Sequence, residues 1–153
     1  MNDPVAMREE GMRRFNAGDN ESALNLYSKS AELGDIGAQF ELARMYHYGD
    51  GTERNESKAV FFYEKAAIGG HPGARTDLGC IEWAKGRSDR AIKHLLIGAK
   101  LGGDHALKNI KESYKDGFIS KEVFEEALRG HHAAVIAATK RPEREAAYKS
   151  WHS

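Results

Sequence analysis

Residues 38–70 of the chain read AQFELARMYHYGDGTERNESKAVFFYEKAAIGG. The first part places small and apolar side chains at the three- and four-residue spacing of one helix face, namely Ala38, Leu42, Ala43 and Tyr46. The glycines on either side of Asp50 end this helix. A second stripe follows before the pair Gly69–Gly70, made of Lys58, Ala59, Phe62, Tyr63, Ala66 and Ala67. The pattern predicts two helices joined by a turn, and small residues on both stripes let the helix axes approach closely.

The same unit recurs along the chain. Its opening alanine lies at Ala6, Ala38, Ala74 and Ala106, which are 32, 36 and 32 residues apart. Its closing Ala-x-x-Gly lies at 31–34, 67–70 and 99–102. A repeated helix hairpin cannot bury its apolar face alone, so neighbouring hairpins must stack. The sequence therefore predicts an all-α solenoid of stacked helix–turn–helix hairpins, an α/α superhelix.

We expect one repeat domain over residues 1–153, with hairpins at about residues 4–34, 37–70, 72–103 and 104–139. Residues 120–151 are expected to form a C-terminal cap over the last repeat, with an apolar stripe on its first helix that includes Phe124 and Val135, and with Trp151 on a short last helix. Pro142 predicts a break, because proline removes a helix hydrogen bond and clashes with the preceding turn. About nine helices in a right-handed array follow from these boundaries.

These residues resemble the Sel-one-like repeat, a relative of the tetratricopeptide repeat. That pattern is A-x-x-x-L-G-x-x-Y-x-x-G-x-G and then K-A-x-x-W-Y-x-K-A-A-x-x-G. Residues 38–70 depart from it at Ala43, where the pattern has Gly, and at Phe62, where it has Trp. Residues 66–72, AAIGGHP, are similar to the branch of the family that is multiplied in unicellular algae. The resemblance implies a helical solenoid that binds proteins and has no catalytic activity.

The charge balance and the single cysteine exclude several classes of protein. Lysine plus arginine number 23 and aspartate plus glutamate number 23, so the net charge is zero. This argues against nucleic-acid binding and against a polybasic membrane patch. Cys80 is the only cysteine, so no internal disulfide can form. The chain has no secretory signal at its start and no apolar run long enough to span a bilayer, which favours a cytoplasmic protein.

No motif for catalysis or for metal binding stands out. The seven histidines have no metal-ligand spacing on one helix: His47, His71, His94, His105, His131, His132 and His152. Cys80 lacks a nucleophile motif and is expected to be a small residue on an interior stripe. We therefore expect no catalytic residue, no metal and no cofactor. A hydrolase activity, which has been attached to some bacterial relatives, would need a nucleophile and a base that the sequence does not supply.

The resemblance places partner binding on the first helix of each hairpin, because first helices line the concave face of related tetratricopeptide arrays. The predicted partner-binding residues are Arg8, Met12, Phe15, Phe40, Arg44, His47, Tyr48, Trp83, Lys108 and Lys115. Thr76, Cys80 and Glu112 are also expected on the exposed side of first helices. Phe15, Tyr48 and Trp83 occupy nearly equivalent positions, so they are either binding hot spots or packing contacts with the next repeat.

Two functions fit this sequence. The first is a non-enzymatic adaptor that presents a concave groove of first helices to a peptide or protein partner. The alternative is a small structural subunit of a larger stable protein complex.

Overall fold

The computed structural model describes the backbone from Asp3 to His152 and the side chains as far as Lys140. Its helices are α1 (Pro4–Asn16), α2 (Asn20–Glu32), α3 (Ile36–Tyr48), α4 (Glu56–Ile68), α5 (Pro72–Ala84), α6 (Ser88–Lys100), α7 (Asp104–Lys115) and α8 (Lys121–His152). Over these residues the structure contains no strand, so the predicted all-α class is confirmed. The chain divides within α5 into two compact units, Met1–Leu78 and Gly79–Ser153.

Side-chain caps fix the starts of most helices. Asp or Asn oxygens accept a hydrogen bond from a first-turn backbone N–H at four starts, namely Asp3, Asp19, Asp35 and Asn55. Ser120 caps α8 in the same way, since its Oγ accepts from the Val123 N–H at 3.2 Å. The sequence predicts N-caps at Asp3, which precedes Pro4, and at Ser120, because aspartate and serine favour this position, and both are confirmed.

The sequence also predicts Ser88 and Asp104 as N-caps from their residue types, and these two predictions are wrong. Ser88 and Asp104 are the first helical residues of α6 and α7, and the residues before them form no side-chain cap bond. For Asp104 the structure gives a physical reason. Its Oδ1 lies 2.9 Å from Nε2 of His131 on α8, so the carboxylate joins two helices and does not turn back onto its own.

The core of the first unit is made of small residues and a few large ones. Its central cluster contains Ala23, Tyr27, Ala31, Ala38, Leu42 and Met45, with Leu24, Tyr46 and Phe62 packed against it. Ala59 and Ala66 are also completely buried, and Tyr63 is one of the largest fully buried side chains. The small-residue stripes predicted from residues 38–70 therefore lie between helices, as expected.

In the second unit, α6, α7 and the start of α8 share a core. It contains Leu95, Ala99, Ala106, Ile110 and Ala127. On α8, Phe124 stacks on Tyr114 with ring centroids 4.5 Å apart. Glu126 pairs with Lys100 of α6 at 2.9 Å. The first turns of α8 therefore pack on both α6 and α7.

The predicted break at Pro142 is wrong, because α8 continues to His152, and eight helices are found over the described residues where about nine were expected. Proline costs a helix interior about 3 kcal/mol. The strong helix formers on both sides, including Ala138 and Glu143, favour continuation.

The apolar stripe predicted along α8 packs only in its first half. Val135 is 40% exposed and Ala138 is exposed. The reason is length, since α8 reaches the α6–α7 turn near Ala134, which lies beside Gly102. Later residues extend past that turn. The side chain of Trp151, which was expected on a separate short last helix, lies outside the described residues.

We predict that Ala67→Phe lowers the melting temperature strongly. Ala67 is 4% exposed on the small-residue stripe of α4, so a ring there overpacks the helix pair. The expected cost in unfolding free energy is roughly 1–3 kcal/mol. The adjacent Ile68 is 83% exposed, so Ile68→Phe is the matched control and should leave the melting temperature nearly unchanged. Equal effects for the two variants would contradict the assigned helix face.

A second prediction concerns the turn between α3 and α4. Gly51 has φ +71°, and a Cβ there would lie 2.7 Å from the backbone oxygen of Asn20. Gly18 has φ +85°, and no described atom lies within 4 Å of the position that a Cβ would take. Gly18→Ala therefore introduces the same kind of backbone strain without a steric clash. That strain is worth about 1–2 kcal/mol. Urea unfolding should therefore show a larger loss for Gly51→Ala than for Gly18→Ala, and equal losses would exclude a tight contact between this turn and α2.

Candidate partner-binding surface

In the first unit, three predicted binding residues surround one small cavity. Arg8, Met12 and Phe40 line a space of about 150 Å³ together with Tyr27 and His71. Met12 is 52% exposed at its edge. The first helices α1 and α3 therefore bring these three side chains together around the cavity.

Arg8 is held by the protein itself. Its Nε lies 2.9 Å from Oδ2 of Asp35, and that same oxygen accepts the Ala38 N–H at 2.8 Å to cap α3. The Arg8 side chain lies against Gly37, where a Cβ would come within 2.8 Å of its Cδ. Arg8 therefore joins α1 to the start of α3, and only part of its guanidinium surface is left for a partner.

Phe40 is covered by two neighbours. The His71 ring stacks on it at 4.1 Å, and the Arg44 guanidinium carbon lies 5.7 Å from its ring centroid. His71 in turn accepts the Ala74 N–H on Nδ1 at 3.2 Å, which makes it the cap of α5. Burial lowers the pKa of His71 below its usual value of 6.5, because the charged imidazolium loses hydration there.

The end of α3 is more open. Tyr48 is 62% exposed, and its ring meets the His47 ring edge-on at 4.7 Å. His47 is half-buried and also contacts Tyr63, at 6.1 Å. Phe15, at the corresponding place on α1, is 37% exposed. Tyr48 is therefore the most accessible of the three equivalent aromatic residues.

In the second unit, Trp83 lies in a cleft of about 390 Å³ between the ends of α5 and α7. Its ring meets Phe118 at 5.1 Å with the planes 72° apart, and 40% of the side chain remains exposed. Phe118 directly follows α7. Trp83 therefore makes part of a packing contact with the next repeat, which was one of the two alternatives that the sequence allows for it. Lys108 and Lys115 are exposed on α7 but do not line the cleft.

Two expectations from sequence need correction. Thr76 is 8% exposed and not on the open side of α5, because its Oγ donates to the Pro72 carbonyl at 3.1 Å within the helix. Cys80 is exposed, so the expectation of an interior stripe is wrong and the expectation of an exposed position on α5 is confirmed. Its Sγ lies 3.9 Å from Nδ2 of Asn109 at the cleft. The repeat stripe of α5 itself keeps its expected face, since Ala74 and Leu78 are buried and Gly79 lies against Leu95.

The sequence reasoning missed the α7 wall of this cleft, which is formed by Asn109, Glu112, Ser113 and Asp116. Only Glu112 had been placed among exposed positions. The sequence does contain a pattern that indicates this wall, since the four residues have the spacing of one helix face and all carry polar side chains. Hydrophobic periodicity does not reveal a polar stripe of this kind.

The described residues contain no group of three or more His, Cys, Asp or Glu side chains placed to hold a metal ion. No helix over the described part of the chain is long and apolar enough to cross a membrane.

This architecture of capped, small-residue helix hairpins defines a helical-repeat protein. The family model of the Sel1 repeat matches residues 9–35 and 36–71, which together are less than half of the chain. The chain therefore carries two Sel1 repeats, one over most of α1–α2 and one over α3–α4. The resemblance read from residues 38–70 is confirmed.

Two solved structures share the fold. A Sel1 repeat protein from Oxalobacter formigenes has a TM-score of 0.71 at 24% identity, over 88% of this chain and 58% of that one. A protective antigen of uropathogenic Escherichia coli with an SLR fold has a TM-score of 0.68 at 20% identity, over 87% of this chain and 30% of that one. The predicted solenoid class is thus confirmed.

One curated relative is an exopolysaccharide production negative regulator of Rhizobium meliloti (strain 1021). It is 35% identical over 72 residues, which are 46% of this chain and 27% of the relative. The chain therefore spans about a quarter of that regulator, and it spans 58% and 30% of the two solved proteins.

We predict that His71 makes the stability of the protein depend on pH. Because its folded pKa lies below 6.5, protonation favours the unfolded state, and stability falls as pH drops below 6.5. His71→Asn keeps a capping oxygen but does not titrate. Urea unfolding at pH 7.5 and 5.5 should therefore show a smaller loss for the variant than for the wild type. Glu41, whose pKa burial raises, is present in both proteins, so its titration cancels. Equal losses would mean that His71 is protonated without cost.

Proposed function

We propose that this chain is a non-enzymatic protein-interaction adaptor that presents its first helices to a peptide or protein partner. One observation carries the proposal. Large apolar side chains remain exposed on one face of the first helices, whereas the small-residue face of the same helices is buried. Met12, Phe15, Tyr48 and Trp83 are 52%, 37%, 62% and 40% exposed. Aromatic side chains of this kind supply contact area at low entropic cost when they bind.

The comparisons support the coarse form of this function. Sel1 repeat proteins generally mediate protein–protein interactions, and they are typically non-catalytic scaffolds. A relative named as a negative regulator of exopolysaccharide production agrees with a regulatory binding role. The finer part of the proposal is that the partner lies in a concave groove of first helices, as in stacked repeat arrays. We propose no metal, nucleic acid or membrane as its target.

The residues assigned to this surface differ in their availability. Tyr48, Trp83, Lys108 and Lys115 project at exposed positions. Arg8, Phe40 and His47 are partly occupied by contacts within the first unit. Arg44 forms a long ion pair with Glu41 at 3.9 Å, which solvent screens. The energetic centre of binding is therefore expected at the aromatic residues.

A second candidate is a permanent structural subunit of a larger complex. Exposed apolar residues on α4 favour it, since Phe61 is 51% and Ile68 is 83% exposed on the helix opposite α3. A permanent assembly buries such patches.

Affinity purification of the chain from native cells, followed by mass spectrometry, separates the two candidates. An adaptor should return substoichiometric partners that exchange when labelled protein is added in excess. One fixed set of subunits at constant stoichiometry, with no exchange, would instead establish the structural subunit.

We predict that Tyr48→Ala weakens the binding of a captured partner while the melting temperature stays near the wild-type value. Tyr48 is mostly exposed, so its truncation removes contact area with little loss of core. A hot-spot aromatic should cost about 2 kcal/mol or more in binding free energy. Phe61→Ala, on α4, is the matched control and should leave the affinity unchanged. If Phe61→Ala weakens binding and Tyr48→Ala does not, the partner binds the second helices.

A further inference from the structure

The cleft of the second unit is large enough to hold a partner's side chain. Its volume of about 390 Å³ falls within the roughly 300–1,000 Å³ that ligand pockets usually have. Cys80 and Trp83 belong to the α5 wall, and the buried Leu95 of α6 supplies apolar surface between the walls. Asn109, Glu112 and Asp116 belong to the α7 wall. The cleft thus combines an apolar interior with a polar side.

The charge of the cleft is negative. Glu112 at the end of α7 and its C-cap Asp116 are four residues apart, and among the described residues that line the cleft none is a lysine or an arginine. Glu112 is in the last turn of α7 and Asp116 is its C-cap, while α5 ends at Ala84 on the other wall. A helix C-terminus carries a partial negative charge of about half an elementary charge. Two carboxylates and two helix C-termini therefore favour a cation in this space.

Trp83 adds a surface that selects among cations. Its ring contacts Phe118 and lines the cleft, and Trp83 is 40% exposed. An arginine guanidinium stacks on indole rings and also pairs with carboxylates through two parallel hydrogen bonds. A lysine ammonium is a compact, strongly hydrated charge that does neither as well. The apolar stem of a long side chain can pack along Leu95.

We propose that this cleft binds an arginine side chain from a peptide segment of the partner protein. The guanidinium lies against Trp83 and pairs with Glu112 and Asp116. This rests on the adaptor function proposed above and specifies the chemistry of the partner. The exposed Lys108, Lys111 and Lys115 lie on α7 outside the cleft lining and would instead attract an acidic partner, so the two cases can be separated by experiment.

The test starts with a random peptide library displayed on phage and selected on the full chain. We expect arginine to be enriched at one peptide position. A synthetic copy of a selected peptide is then compared with a copy that carries citrulline, the neutral analogue of arginine, at that position. Binding of the citrulline peptide to the wild-type chain should be weaker by about tenfold or more, because a charge-assisted hydrogen bond is lost. This comparison needs no protein variant and so does not depend on folding.

Protein variants then locate the site. The double variant Glu112→Gln with Asp116→Asn should lose affinity for the arginine peptide by about tenfold or more. Glu125→Gln on α8 changes one exposed carboxylate outside the cleft and should keep the wild-type affinity. Both altered side chains of the double variant are exposed, so its circular dichroism melting curve should match that of the wild type.

Several outcomes would overturn the proposal. One is a set of selected peptides without arginine, and another is equal binding of the arginine and citrulline peptides. Acidic peptides that lose affinity on Lys108→Ala or Lys115→Ala would assign the opposite charge to the partner. Selection of no peptide at all would also overturn it. The adaptor function is tested by a different experiment, and it would be contradicted if purification from native cells returned one fixed set of subunits.

Discussion

Close contact between helices through alanine is the constraint on which the described structure depends. Ala23, Ala38, Ala59 and Ala66 have no exposed surface, and the helix pairs of the first unit meet at these positions. A methyl group is small enough for helix axes near the short end of the usual 8–10 Å separation. Because alanine stripes bury little area, a few large side chains such as Tyr63 complete the core, and other large side chains are left on the outer faces.

Caps and turns then determine which side chains face outward. Asp35 shows how one residue serves two elements, since its carboxylate caps α3 and also pairs with Arg8 of α1. His71 also serves two elements, since its Nδ1 caps α5 and its ring stacks on Phe40 of α3. A small rotation of a helix would replace the exposed residues by their neighbours, so these local contacts fix the surface that a partner can meet. The stability of the hairpins and the identity of their exposed side chains are therefore linked.

The parts predicted from sequence were those with a local signal. Recurring alanines and glycines at about 32–36 residues revealed the hairpins, because each hairpin needs the same close contact. The pairs Arg8–Asp35 and Phe40–His71 join residues 27 and 31 positions apart, and no short motif announces them. Pro142 predicts a helix break, but the strong helix formers on both sides of it keep α8 continuous. The polar stripe on α7 was missed because apolar periodicity was the guide.

The even charge balance of the chain does not weaken the case for a local cation site. At physiological ionic strength charges are screened over about 8 Å, so a partner at the cleft responds to Glu112 and Asp116 and not to the total charge. The first unit shows the geometry within the chain itself, where Arg44 lies 5.7 Å above Phe40. In the second unit Trp83 offers the corresponding aromatic surface, and the cleft lining contains no arginine over the part of the chain whose side chains are described. An arginine from a partner would complete there the kind of contact that the first unit makes with its own side chains.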